Sequence, residues 1–234
     1  MIQSESNVQI KELIKLQKNA RERKKKKLFV AEGMKLTKEA AFHGKLKKIY
    51  IAQDVYEHRE RELDDFLAKQ DYEVVDTKIF RQAAQTVTPQ GMLALVEVPE
   101  YSVDTLLCDP KRSFLLLDDL RDPGNLGTIM RTAEGAGMSG VVLSRESVDL
   151  FNPKVVRATM GAIFRVPFYY ADDLIEVIER LKAMQIPVYG TMMQGSEVYD
   201  ALDYTNGAAI VIGNEANGIS EEVTAHLTKG VRIP

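Results

Sequence analysis

The chain has 234 residues, 45% of them hydrophobic and 28% charged, which is ordinary usage for one large or two modest globular domains. No apolar run reaches the roughly 18 to 20 residues of a membrane span, the N-terminus lacks a secretory signal's apolar core, and the single cysteine, Cys108, excludes an internal disulfide, so a cytoplasmic protein without membrane contact is expected. The net charge of −3 hides an asymmetry: residues 1–50 carry 14 Lys or Arg against 5 Asp or Glu, the remainder 17 against 29, and a polyanion partner is expected for the basic part.

Taken in order, Val8, Ile10, Leu13, Ile14 and Leu16 recur at helical spacing over 7–20. The run RERKKKK follows at 21–27. It reads either as a solvated helix end or as a patch in which Lys24, Lys25, Lys26 and Lys27 contact phosphates. The pattern then predicts a strand at 28–30, a turn into a helix over 32–41, a strand at 45–52, a charged helix over 56–69, and strands at 72–75 and 92–98. This alternation predicts a small α/β domain over 1–100. The stretch 99–110, bounded by Pro99 and Pro110 and short of pattern, reads as the boundary to a second domain over 110–234.

The second half opens with a buried-strand run at 114–117, then the turn DDLRDPGN at 118–125, then a helix with Ile129, Met130, Ala133 and Ala136 on one side. Gly135 and Gly137 close it. A glycine-bearing turn between a strand's end and a helix's start lies at the edge where open α/β sheets bind ligands. Asn125 and Arg131 bring one neutral and one cationic hydrogen-bonding group to it. The alternative is a tight turn whose glycines serve geometry only, and its spacing matches neither common nucleotide fingerprint. Further on, a strand is expected at 141–143. Asn152 and Pro153 should start a helix through Phe164, and a strand follows at 166–169. Asp173 and Glu176 make a capping box for the helix bearing Leu174, Val177, Ile178 and Leu181. A strand at 187–191 leads into a loop at 192–195. The run AAIVI at 208–212 has the composition of a central parallel strand and ends in a second glycine loop, 213–220, where Ser220 should cap the helix that follows. An extended segment at 230–234 closes the sequence. His43, His58 and His226 lack metal-ligand spacing, so no metal is expected.

The two glycine loops together are specific. D-P-x-N-x-G-x-x-x-R-T-A at 122–133, followed by I-V-I-G-N-E-x-x-G-I-S at 210–220, resembles the SpoU/TrmH family of RNA ribose 2′-O-methyltransferases, in the SPOUT superfamily. FVAEG at 29–33 and PQGMLA at 89–94 resemble that family's substrate-binding domain. The resemblance implies an α/β fold: a small N-terminal RNA-binding domain, then an α/β-knot domain with a parallel sheet and a C-terminal trefoil knot. The family's third motif matches only VRIP at 231–234. The chain is therefore expected to stop inside that motif, with the knot incomplete.

The resemblance also implies S-adenosylmethionine as methyl donor, held near Thr191, Met192, Gly213, Asn214, Ile233 and Pro234, and a homodimer whose sites borrow residues across the interface. The substrate would be structured RNA, ribosomal rather than transfer RNA, bound by shape and by phosphate and 2′-hydroxyl contacts. A transfer-RNA 2′-O-methyltransferase and a non-catalytic RNA-binding protein of the same fold are the alternatives. Transfer to a ribose hydroxyl is an in-line displacement, so placement of nucleophile and donor does much of the work. The family's catalytic residues fall on Asn125, Arg131 and Glu215. With a pKa above about 12, a guanidinium is a poor base. Arg131 is read instead as holding the ribose phosphate and stabilising the 2′ oxygen, the proton passing to a phosphate or water. Glu215 either takes part in the chemistry or orients the loop by accepting from backbone amides. Gly213 would allow close approach of the adenosine half of the donor. Arg157 would contact RNA or the partner subunit, or simply lie exposed.

Overall fold

A computed structural model describes residues 1–109 and 112–234 and divides the chain into two units: Met1–Pro99 with Phe151–Phe164, and Glu100–Leu150 with Arg165–Pro234. Pro110, one end of the expected boundary stretch, lies outside the described residues, as does Lys111.

The first unit begins with α1 (Val8–Lys18) and α2 (Ala20–Lys26). A single residue separates them: the Asn19 side chain accepts from the N–H groups of Arg21 and Glu22 at 2.9 and 3.3 Å, which starts a new helix instead of continuing the first. Arg23 is 4% exposed and donates to the Leu16 and Gln17 carbonyls at 2.5 and 3.0 Å, capping the end of α1. One cation of the basic run is thus structural.

There follow β1 (Leu28–Glu32), α3 (Met34–Phe42), β2 (Leu46–Ala52), α4 (Gln53–Glu57), α5 (Arg61–Leu67), β3 (Tyr72–Val75), α6 (Thr77–Ala83) and β4 (Met92–Glu97). The single charged helix expected over 56–69 is two short ones. His58 Nδ1 meets the Asp54 carbonyl at 2.8 Å and Arg59 Nη1 donates to the Tyr56 carbonyl at 2.7 Å, so side chains take up the last carbonyls of α4 and end it. The helix α6 is an addition to the sequence reading. Asp76 caps it, accepting from Lys78 and Ile79 at 2.9 and 3.3 Å, and its Ile79, Phe80 and Ala83 pack with Ile10, Leu13 and Leu16 of α1 over Val30, Tyr50 and Leu93. The sheet order is β1-β4-β2-β3, with β4 antiparallel to both neighbours and β2 parallel to β3.

The second unit opens with α7 (Val103–Leu107), a helix inside the stretch that reads as patternless. Ser102 caps it, and Leu106 and Leu107 are buried. Next come β5 (Ser113–Leu117), α8 (Pro123–Gly135) and β6 (Gly140–Ser144). The segment Phe151–Phe164, expected within the second domain, clusters with the first unit. The rings of Phe151 and Phe164 lie 5.0 and 6.2 Å from that of Phe29 on β1, an aromatic contact that decides its allegiance. Its helix α9 (Pro153–Ala158) is capped by Asn152 but stops short of Phe164, because Met160 and Gly161 take φ values of 53° and 100°.

The chain continues through β7 (Phe168–Ala171), α10 (Leu174–Ala183), β8 (Val188–Thr191), β9 (Ser196–Val198), β10 (Ala208–Ile212), α11 (Glu221–Thr224) and β11 (Lys229–Arg232). The seven strands order as β7-β6-β5-β10-β8-β11-β9, parallel throughout. As its composition predicts, β10 is central, pairing Ile210 with Leu115 on one side and Tyr189 on the other. Leu174, Val177, Ile178 and Leu181 of α10 bury against Phe114, Leu116, Val142, Val188 and Val211. In a wholly parallel sheet every strand's C-terminal end faces one edge. The loops after β5, β10, β8 and β11 therefore gather there. Among the described residues no helix is long and apolar enough to cross a membrane.

Candidate active site

Where β5 ends, its chain is tied to the end of β10. Asp118 donates its N–H to the Ile212 carbonyl at 2.9 Å and accepts the Ser220 N–H on Oδ2 at 2.8 Å. Asp119 takes a left-handed φ of 54° and offers its carbonyl to Asn214 Nδ2 at 2.9 Å. The chain then enters α8, whose cap, Asp122, accepts the Asn125 N–H at 2.8 Å. Asn125 thus sits in the first turn of a helix, held by its own main chain.

Glu215 crosses from the second loop to the first. Its Oε1 accepts the Asp122 N–H at 2.9 Å and Asn125 Nδ2 at 3.1 Å, and its Oε2 accepts the Arg121 N–H at 3.1 Å. Desolvation pushes this carboxyl's pKa up, but the N–H groups of Asp122, of Glu215 itself and of Arg121, with the Asn125 amide, outweigh it and hold the group down to about 2. So weak a base does not take a proton near neutral pH. Of the two readings open for Glu215, orientation is the one this geometry favours.

The second loop is closed on itself. Asn214 and Gly218 exchange N–H···O bonds at 2.9 and 2.8 Å, and Asn214 Oδ1 accepts the Ala216 and Asn217 N–H groups at 3.0 and 3.1 Å. A Cβ on Gly213 would lie 2.2 to 2.3 Å from the backbone of Gly218 and Ile219. The missing side chain at 213 is required by the loop's own closure, and the Asn214 side chain is spent within the two loops.

Beside them, at the ends of β8 and β11, lies a cavity of about 690 Å³ lined by Thr191, Met192, Met193, Tyr199, Tyr204, Ile210, Val231, Arg232 and Ile233. Thr191 Oγ1 donates to the Val211 carbonyl at 3.0 Å, and Tyr204 OH to the Tyr199 carbonyl at 2.9 Å. A Cβ on Gly230 would stand 2.7 Å from Met192 Sδ, so the Met192 side chain would have to move aside. Aromatic and thioether walls suit a flat base and a sulfonium cation. Of the six residues expected at the donor, Thr191, Met192 and Ile233 line the cavity, while Gly213, Asn214 and Pro234 do not. Met193, Tyr199, Tyr204 and Arg232 are additions. Tyr199 and Tyr204, two aromatics five residues apart after the loop at 192–195, were the available signal.

Arg131 stands apart. It lies six residues beyond Asn125 on α8, about 9 Å along the axis and about 120° around it. Its side chain is exposed and has no partner among the described residues. Asn125 and Glu215 are thus brought together, and Arg131 is not joined to them within one chain. In the first unit, Lys24 and Lys25 are exposed near the end of α2, Lys26 pairs with Glu12, and Lys27 closes the helix at a φ of 53°. Arg157 on α9 has Nη1 3.9 Å from Glu32 Oε2. Among the described residues no group of three His, Cys, Asp or Glu is placed to hold a metal ion.

A parallel sheet with two cross-bonded loops and an apolar cavity at its C-terminal edge defines an α/β protein with a cavity at the edge where open α/β sheets bind ligands. The chain belongs to the SpoU rRNA Methylase family, which matches residues 112–234, and the MRM3-like substrate binding domain matches residues 7–94. It is 32% identical to the 23S rRNA (guanosine(2553)-2'-O)-methyltransferase RlmP of Bacillus subtilis (strain 168) over 100% of this chain and 90% of that one. An AdoMet-bound rRNA methyltransferase from Sinorhizobium meliloti superposes with a TM-score of 0.84 at 29% identity, covering 100% of this chain and 88% of the other. A putative RNA methyltransferase of the TrmH family from Porphyromonas gingivalis gives 0.79 at 32% identity over 98% and 88%.

Proposed function

We propose that this chain is an S-adenosylmethionine-dependent RNA methyltransferase, acting in the cytoplasm on a ribose 2′-hydroxyl of ribosomal RNA. The observation that carries the reading is the Glu215 carboxylate, which binds the loop after β5 to the loop after β10 and fixes Asn125 at the sheet edge. The bound donor supplies an electrophilic methyl group on a sulfonium. Thr191, Met192, Tyr199, Tyr204 and Ile233 would hold it, with the main chain of Gly213 and Asn214 closing the neighbouring edge.

Asn125 gives its amide hydrogen to Glu215, which aims the opposite end of the side chain. Its Oδ1, with no partner among the described residues, is free to accept the 2′ O–H hydrogen bond and orient an oxygen lone pair for attack. As the O–CH₃ bond forms and the S–CH₃ bond breaks, the hydroxyl proton leaves to a phosphate or water, and a guanidinium stabilises the oxygen's negative charge. We assign that role to Arg131 and infer a homodimer in which it serves the partner's site. Its exposure and its lack of a partner among the described residues support this.

Tritiated donor incubated with unmodified 23S rRNA and with transfer RNA tests the reading. Label is expected in ribosomal RNA, recovered after nuclease digestion as a 2′-O-methyl nucleoside. Label in a base, or in neither RNA, would overturn it, the latter leaving an RNA-binding protein.

A further inference from the structure

The first unit holds a second constellation that the site above does not use. The helix α3 starts at Gly33 with no side-chain cap and no acid in its first turn. Gln90 Oε1 accepts the Met34 N–H at 3.3 Å, and the next N–H groups, of Lys35 and Leu36, have no side-chain acceptor among the described residues. This helix end opens on a cavity of about 350 Å³ walled by Glu32, Lys35, Thr88, Gln90, Arg157 and Met160.

The cavity's one carboxylate is already satisfied. Glu32 is 9% exposed and accepts the Gln85 and Thr86 N–H groups at 3.0 and 3.3 Å together with the Thr86 hydroxyl. Its donors are not. Arg157 is 30% exposed and ion-paired with Glu32 at 3.9 Å, and its buried Nη1 has no hydrogen-bond partner among the described residues. Lys35 is exposed and has no ion pair among the described residues. The Gln90 amide nitrogen and the Thr88 hydroxyl complete a ring of donors around one net positive charge. Such a set wants an anion carrying several oxygens, which a helix N-terminus and a guanidinium both favour. Met160, 49% exposed on the rim, offers an apolar shoulder to whatever adjoins that anion.

We propose that this cavity seats a backbone phosphate of the RNA substrate, with Arg157 and Lys35 supplying charge, the start of α3 supplying direction, and Met160 touching the neighbouring sugar or base. The inference rests on the RNA reading above and adds a specific seat to it.

The decisive variant is Gln90→Glu. It keeps an acceptor for the Met34 N–H and places a negative charge at the start of α3, so the fold should be as stable or more so. The same charge faces a phosphate, and affinity for unmodified 23S rRNA should fall about tenfold. Lys35→Ala should weaken binding and lower the slope of log Kd against log salt by about 0.7 to 0.9. Donor affinity should stay at the wild-type value in both. Wild-type RNA affinity and slope in the two variants would overturn the proposal. So would binding of inorganic phosphate at the cavity, seen by amide shifts of Lys35 and Leu36, with RNA affinity unaltered, since the anion would then not be RNA. Loss of RNA affinity in the variants of a wild-type protein that transfers no methyl group would uphold the seat and remove the enzyme. Failure of the wild type to bind 23S rRNA at all would remove both.

Discussion

Glu215 Oε1 lies 3.1 Å from Asn125 Nδ2 across 90 residues of sequence, and that contact turns two separate loops into one site. The carboxylate is committed to holding the loops, accepting the Arg121 and Asp122 N–H groups as well as the asparagine amide. Glu215→Gln should therefore lower kcat by disordering Asn125 while KM for the donor changes little. The loss should be larger for Asn125→Ala, and the two changes combined should fall short of the product of their effects, since both act through one contact. A double-mutant cycle on kcat measures this. Fully multiplicative effects would separate the two residues.

The same group makes a pH prediction. The folded pKa, about 2, is below the ordinary 4.5, so Glu215 contributes stability that is fully present above 4.5 and is lost as pH falls towards 2. The site is largely exposed, and screening keeps the contribution to about 1 kcal/mol. Denaturant melts at pH 2.5 and 6 should show a smaller difference for Glu215→Gln than for wild type. Between pH 6 and 9 the rate profile should carry no limb that disappears in that variant. A lost limb would make the carboxylate a proton carrier after all.

Arg131→Ala should reduce methyl transfer at least a hundredfold, as removal of one charge-stabilising donor does. Because the side chain is exposed and unpartnered among the described residues, stability should move by less than about 0.5 kcal/mol and donor affinity should hold. Mixing this variant with an Asn125→Ala protein should restore part of the activity, since a mixed dimer would have one intact site. Complementation is the measurement, and its absence would return Arg131 to the site of its own chain.

Some of this was legible in the residues and some was not, for identifiable reasons. The run at 208–212 announces a central strand because a strand buried on both faces has no polar alternation. Asn152 with Pro153, and Asp173, announce helix starts because caps are local chemistry. The allegiance of Phe151–Phe164 is different, being settled by rings packing on Phe29 far away in sequence. The helix Val103–Leu107 is too short to show a period, and its two buried leucines look like a linker's. Motifs located Asn125 and Glu215, but their bond is a tertiary fact. Tyr199 and Tyr204 carry no motif, and the cavity they wall is visible only once β8 and β11 are side by side.

Tyr204→Ala should raise the donor Kd about five- to tenfold by removing an aromatic wall next to a sulfonium, with RNA affinity unchanged. Tyr204→Phe removes the hydrogen bond to the Tyr199 carbonyl but keeps the ring, and should cost less. Calorimetric titration of donor into each variant gives the comparison. Equal losses would assign the effect to the hydroxyl and its loop instead of the ring.

The basic run offers a test in which neighbouring cations part company. Arg23 is buried and its guanidinium occupies the last carbonyls of α1, so Arg23→Ala leaves those carbonyls unsatisfied and should cost about 1 to 3 kcal/mol of stability. Lys24 and Lys25 are exposed, and changing both to alanine should leave the melting temperature in place. If they meet phosphates, the same double change should reduce the salt slope of RNA binding by up to about 0.7 to 0.9 for each phosphate no longer neutralised. Thermal melts and a salt series on the same two proteins decide it. A stability loss in the lysine variant, or an unaltered slope, would make the whole run a helix end with no part in holding RNA.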